Sequence, residues 1–156
     1  MSDQGKRRTR LGETGLEGFA PYLMNRIMGR YNAEIRSALG KNGLSTPKMR
    51  ALAVLSVVQA PLIRELAVYA VTEQSTLSRA LDQLEADGLV RRESDVNDSR
   101  ATRIYITAAG REVFEGLWPH MTDAQEVMFR GISDDERQAF LLTLQKMLRN
   151  IRKHEF

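Results

Sequence analysis

The sequence predicts a mainly α-helical chain with one small β-hairpin. Three observations carry that reading: apolar residues recur every three or four positions over most of the chain, alternation by twos occurs only near residues 89–107, and turn formers cluster between these stretches. At 156 residues the chain is long enough to bury a core as one domain with attached helices.

Residues 1–15 are polar, carry the basic run Lys6, Arg7, Arg8 and Arg10, and hold too few apolar side chains to order themselves, so they read as a flexible basic tail. From 16 to 39, Leu16, Phe19, Leu23, Ile27, Tyr31, Ile35 and Leu39 line one face of a long helix that Gly40 and Gly43 end. Thr46 as N-cap and Pro47 at the first helical position open a second helix with Met49, Leu52 and Leu55 on its buried face, and Gln59, Ala60 and Pro61 stop it. A short helix follows over 62–68. The next is capped by Thr72, carries Leu77, Leu81 and Leu84, and closes at Asp87 and Gly88.

Residues 89–93 and 102–107 read as two strands, the second alternating Ile104 and Ile106 with Arg103 and Tyr105, and the turn-rich stretch 94–100 makes a long hairpin tip. Thr107 caps a further helix with Val113, Phe114, Leu117, Met121 and Met128, in which Pro119 predicts a kink or break. Ser133 with Glu136 forms a capping box ahead of a last amphipathic helix bearing Phe140, Leu141, Leu144, Met147, Leu148 and Ile151. The chain thus divides into a tail (1–15), an N-terminal helix (16–44), a central helix–turn–helix–hairpin module (45–107) and C-terminal helices (108–153).

Composition removes several classes of function. With no cysteine there are no disulfides, thiolate metal sites or thiol redox sensors, and His120 and His154 lack metal-ligand spacing. No glycine-rich phosphate loop and no paired nucleophile and base are visible, so neither an enzyme nor a cofactor is expected. No stretch nears the roughly 18 apolar residues of a membrane span, and the first residues lack the apolar segment of a secretory signal; a cytoplasmic protein without a membrane partner is the expectation.

Two short helices joined by a few residues and followed by a hairpin make a winged helix-turn-helix, whose second helix fits a DNA major groove about 12 Å wide. With its leucines turned inward, that helix offers Gln74, Ser75, Ser78 and Arg79, side chains able to bond base edges and phosphates. A solvated helix face explains the same residues. The neighbouring loop with Arg100 tips the balance, because it has an evident use as a wing in the minor groove. A protein-binding module on the same fold is the remaining alternative, and it would more often show an apolar patch at this place.

The run from Ser75 to Arg92, then Asp95, Asp98 and Arg100, then Ile104 through Gly110, resembles the MarR family of bacterial regulators, and the flanking helices fit that family's layout. The resemblance implies a homodimer intertwined through its first and last helices, reading a pseudo-palindrome with half-sites about one helical turn apart, most simply as a repressor. Carried over by position, Ser75, Thr76, Ser78 and Arg79 face the groove, and Asp98 and Arg100 match the wing pattern. There an acidic residue braces the wing by an ion pair and a basic one enters the minor groove; which task Arg100 has is open. Arg103 is a further phosphate candidate.

Val96 and Ser99 stand where proline and a second basic residue are common in the family, and the turn 69–73 lacks the usual glycine and brings Glu73 toward the expected phosphates. Charge poses a problem too. The chain is net +3, yet residues 61–107 hold six basic and eight acidic side chains, so affinity must rest on a few placed arginines, with the basic tail either adding to it or idle. The resemblance also implies a small phenolic or lipophilic effector, for which Tyr22, Met24, Met28, Tyr31, Met49, Leu55, Tyr69 and Trp118 are candidate lining residues; ordinary core packing explains them as well.

Overall fold

The computed structural model describes residues 9–156, so Lys6, Arg7 and Arg8 of the basic run lie outside the described residues. Where the sequence suggests irregular chain up to residue 15, helix α1 (Leu11–Thr14) makes a single turn, with the Arg10 amide donating to the Glu13 carboxylate at 3.3 Å. Helix α2 (Ala20–Lys41) starts four residues later than the apolar pattern predicts. Phe19, extended at φ −106°, is its N-cap, and Pro21 sits in its first turn, where no donor is required. The helix passes through Gly40; reversal comes at Gly43, φ +65°, where the Leu44 amide donates to the Leu39 carbonyl at 3.2 Å.

Helix α3 (Thr46–Leu55) is capped by Ser45 rather than Thr46: the Ser45 hydroxyl accepts from the Lys48 amide, which makes Thr46 the first helical residue and Pro47 the second. Helices α4 (Ile63–Tyr69) and α5 (Gln74–Ala86) follow. Thr72 does not cap α5, because it is used in closing α4. Its amide donates to Ala67 at 3.1 Å, the Val71 amide donates to Val68 at 3.2 Å, and Val71 occupies the left-handed position at φ +50°. This is the reversal that glycine usually serves, here built on a β-branched residue. The N-cap of α5 falls to Glu73, whose side chain makes no capping bond.

Strands β1 (Val90–Ser94) and β2 (Thr102–Ile106) pair antiparallel with Val90 opposite Ile106 and Ser94 opposite Thr102. The Ile104 amide donates to the Pro61 carbonyl at 3.0 Å, so the segment ahead of α4 edges the hairpin almost as a third strand. The core gathers where these elements meet: Leu52, Leu66, Leu77, Leu81, Leu84 and Ile104 are all without solvent exposure, and Phe114 closes the cluster from the following helix. A second cluster of Ile35, Leu39, Met49 and Leu117 ties α2 and α3 to it.

Of the kink or break expected at Pro119, no break occurs: helix α6 (Ala108–Met128) continues through it. Residue 115, whose carbonyl loses its partner, is exposed, and the Thr122 hydroxyl donates to the Pro119 and Trp118 carbonyls. Helix α7 (Asp134–Ile151) opens on the expected Ser133–Glu136 capping box and has no buried residue. It is held to α6 at one end, through Arg137 with Glu126 at 2.8 Å and Phe129 against Phe140 at 6.0 Å.

The N-terminus of α6 is pinned to the turn after α5. The Thr107 hydroxyl donates to the Gly88 carbonyl at 2.7 Å and accepts from the Gly110 amide, and a Cβ on Gly110 would lie 2.0 Å from the Leu89 carbonyl oxygen. Gly110→Ala should therefore push α6 off the hairpin and cost about 2 kcal/mol of stability, read as a lower urea midpoint; an unchanged midpoint would show that the helix start is not tightly seated.

Candidate nucleic-acid interface

The leucine face of α5 determines what the helix can present. Leu77, Leu81 and Leu84 are sealed in the core, which leaves Gln74, Ser75, Thr76 and Arg79 exposed and Ser78 half-buried on the first turns. The first amides of α5 have no side-chain cap, so their donors and the helix's positive end are available to an anion. Glu73 stands exposed at the same end and opposes such an anion.

The wing is organised by Asp95, a residue to which the sequence reading gave no role. The expected acidic brace was Asp98; the structure puts it at Asp95. This side chain is 9% exposed, accepts from the amides of Asn97 and Asp98 at 3.0 Å with one oxygen, and receives Arg103 Nε with the other. Arg103 then donates to the Ala60 carbonyl at 2.8 Å. Its guanidinium, expected among the phosphate ligands, faces inward and joins the wing to the loop before α4, at a residue held at φ +47°. Asp98 accepts the Arg100 amide at 3.0 Å and shapes the tip, while the Arg100 side chain is exposed. The signal for Asp95 in the sequence was the spacing Asp-x-x-Asp ahead of a turn, which suits a side chain folding back on amides two and three residues on.

Ion pairing leaves three arginines of the module free but does not remove its acidic balance. Arg92 holds Asp82 at 2.8 Å and Glu85 at 3.2 Å behind α5, Arg91 pairs with Glu93, and Arg103 takes Asp95. Three arginines are thereby engaged with four acids, while Glu65, Glu73, Asp87 and Asp98 stand outside these pairs. Among the described residues the guanidinium groups of Arg64, Arg79 and Arg100 have no protein partner. Arg64, at the start of α4, was not singled out from sequence.

The proposed effector residues are not brought into one cavity. Met49 is buried and Tyr31 packs beside it, with burial pushing the Tyr31 phenol above its usual range. Tyr22 lies further along α2, bonded to Arg26 at 2.8 Å, and Met28 and Trp118 are exposed on different helices. Tyr69 stacks near Phe156, 5.0 Å between centroids. What the structure does offer is a cleft of about 530 Å³ between α2 and α6 lined by Arg30, Tyr31, Glu34, Lys41, His120 and Asp123, and an apolar groove of about 940 Å³ where α2, α6 and α7 converge.

A helix pair with its second helix exposed at the N-terminus, flanked by a braced hairpin and long outer helices, defines a winged helix-turn-helix DNA-binding regulator. A sequence model of the MarR family matches residues 42–101. A crystal structure of a MarR-family transcriptional regulator from Silicibacter pomeroyi superimposes with a TM-score of 0.91 at 61% identity, covering 95% of this chain and 100% of that one. The chain belongs to the MarR family of transcriptional regulators. Among curated proteins it is similar to the transcriptional regulator HosA of Escherichia coli, 32% identical over 60% of this chain and 70% of that protein. It is also 26% identical to the transcriptional repressor IacR of Pseudomonas putida, over 86% of this chain and 81% of that one. No helix among the described residues is long and apolar enough to cross a membrane.

The Arg103 contact, then the Asn97 amide, holds the Asp95 carboxyl below the usual carboxylate range. Its contribution to wing order is therefore present above the ordinary carboxylate pKa and is lost as pH falls through the depressed one. Hydrogen exchange should show the amides of Asn97 and Asp98 protected at neutral pH, exposed at strongly acid pH, and exposed at all pH in Asp95→Ala; equal protection in that variant would mean the brace lies elsewhere.

Proposed function

We propose that this regulator is a cytoplasmic homodimeric repressor that reads a pseudo-palindromic operator, with the first turns of α5 in the major groove and the wing tip in the minor groove. The observation that carries the reading is the polar, uncapped N-terminal face of α5 beside a hairpin whose exposed Arg100 is unpaired while its other arginines are engaged in ion pairs. In this arrangement Gln74, Ser75, Thr76, Ser78 and Arg79 meet bases and phosphates, Arg64 and Arg100 add charge, and Asp98 and Arg103 keep the wing in shape.

The dimer is supported by what single chains leave uncovered. Leu16 and Phe19 ahead of α2, Leu23 and Ile27 on it, and Phe140, Leu141, Leu148 and Ile151 on α7 are each at least 36% exposed, and Leu16, Leu23, Ile27 and Phe140 line one apolar groove. A repressor role follows the similarity to IacR. Release by a small lipophilic or phenolic effector is part of the proposal. It draws on two structural neighbours at 23% identity: BpsR of Bordetella bronchiseptica, whose DNA binding is regulated by 6-hydroxynicotinic acid, and CouR of Rhodococcus jostii, crystallised with p-coumaroyl-CoA. An effector of this kind acts by preferring a dimer whose half-site spacing does not match the operator.

Selection of bound duplexes from a random DNA pool tests the core of the proposal. The native protein should recover a palindrome with half-sites about one turn apart, and the Arg79→Ala, Arg100→Ala double variant should lose it, with the salt slope of binding reduced by about two per half-site. Recovery of unspecific DNA by both proteins would sink the reading. For the dimer, Leu148→Glu with Ile151→Glu should shift sedimentation from two chains to one and abolish palindrome binding while the winged module stays folded.

A further inference from the structure

Helix α3 grips α5 from both ends. The Lys48 ammonium lies 4.0 Å from the Asp87 carboxylate at the helix's C-cap, and at the other end Arg50 Nη1 donates to the Val71 carbonyl at 3.2 Å. Val71 is the residue on which the reversal between α4 and α5 turns. It is β-branched, held at φ +50°, and 78% exposed, so its side chain gains almost no packing in return for a conformation that suits glycine. A turn of this kind keeps its shape only where its surroundings over-determine it. The surroundings here are two amide bonds into α4, the Thr72 hydroxyl on the Ala70 carbonyl at 3.0 Å, and the single long-range bond from Arg50.

We infer that Arg50 is a positioning residue for DNA recognition: by holding the Val71 carbonyl it fixes the strained turn and, through it, the angle at which the N-terminus of α5 meets the groove. The inference rests on the reading of α5 as the groove-facing helix. Arg50 acts through the turn and touches no base. Loosening the turn shifts the Gln74, Ser75 and Ser78 side chains relative to base edges, where geometry is exacting, and alters contacts with phosphates little, since those tolerate displacement.

The test compares a duplex selected from a random pool by the native protein with a scrambled duplex, by fluorescence anisotropy at fixed salt. Arg50→Met should weaken the selected duplex about tenfold and leave the scrambled one unchanged. Adding Val71→Gly to Arg50→Met should restore most of the loss, because glycine holds the left-handed turn without a clamp. Arg50→Lys, which retains a single donor, should fall between, with all variants keeping the native urea midpoint closely enough to be folded at assay temperature. Equal weakening of both duplexes, an unchanged preference, or no rescue by Val71→Gly overturns the inference. Arg79→Ala run alongside separates the two levels: if it abolishes the preference and Arg50→Met does not, only the role of Arg50 falls; if neither does, the assignment of α5 falls with it.

Discussion

Burial of Leu77, Leu81 and Leu84 is the constraint on which the rest of the arrangement depends. A helix of 13 residues has little stability of its own, and these three side chains, each without solvent exposure, hold it against α3, α4 and β1. Fixing one face of a helix fixes the other. With the leucines inward, Ser75 and Arg79 point outward, and the hairpin, whose Val90 and Ile104 share the same core, is brought alongside at a set distance. The surface proposed to read DNA is in this sense a by-product of core packing, and it inherits the rigidity of that core.

Arginine does two different jobs in the module. Where it is paired it is structural: Arg92 secures the back of α5 to β1, and Arg103 secures the wing to the loop before α4. Each joins two elements with several bonds from one planar group, which a lysine could not reproduce, and Arg103 does so across 43 residues of sequence. Where arginine is unpaired it lies exposed, as at Arg64, Arg79 and Arg100. Four of the module's acids are taken up by the first group, and the second faces solvent with its charge unpaired.

Much of the fold was legible because its signals are local. The leucine spacing of α5, the turn-rich hairpin tip and the Ser133–Glu136 box each specify structure within a few residues, and each appears where the sequence places it. The errors arise where a residue's partner is distant or where two elements compete for it. Thr72 looks like a cap but is used by the end of α4, Ser45 outcompetes Thr46 one position earlier, and Pro119 is tolerated because the carbonyl it leaves unpaired belongs to residue 115, which is exposed. Asp95 and Arg103 lie eight residues apart, and nothing in their spacing distinguishes the pair from Asp98 and Arg100; only the hairpin register, with Ser94 opposite Thr102, brings them together. The candidate effector residues were chosen by type alone, and type does not say which side of a helix faces a cavity.

Helix α7 has a consequence of another kind. It spans 18 residues, has no buried side chain among the described residues, and is tied to α6 near its start by Arg137 with Glu126 and Phe140 against Phe129. An isolated helix of this length is marginal in water, so its far end, with Leu148 and Ile151 uncovered, frays unless something lies against it. A subunit without a partner thus carries an open, apolar segment of the sort that proteases and chaperones engage. If the proposed dimer covers this end, the unassembled chain is the form open to removal, and the amount of regulator follows the amount assembled.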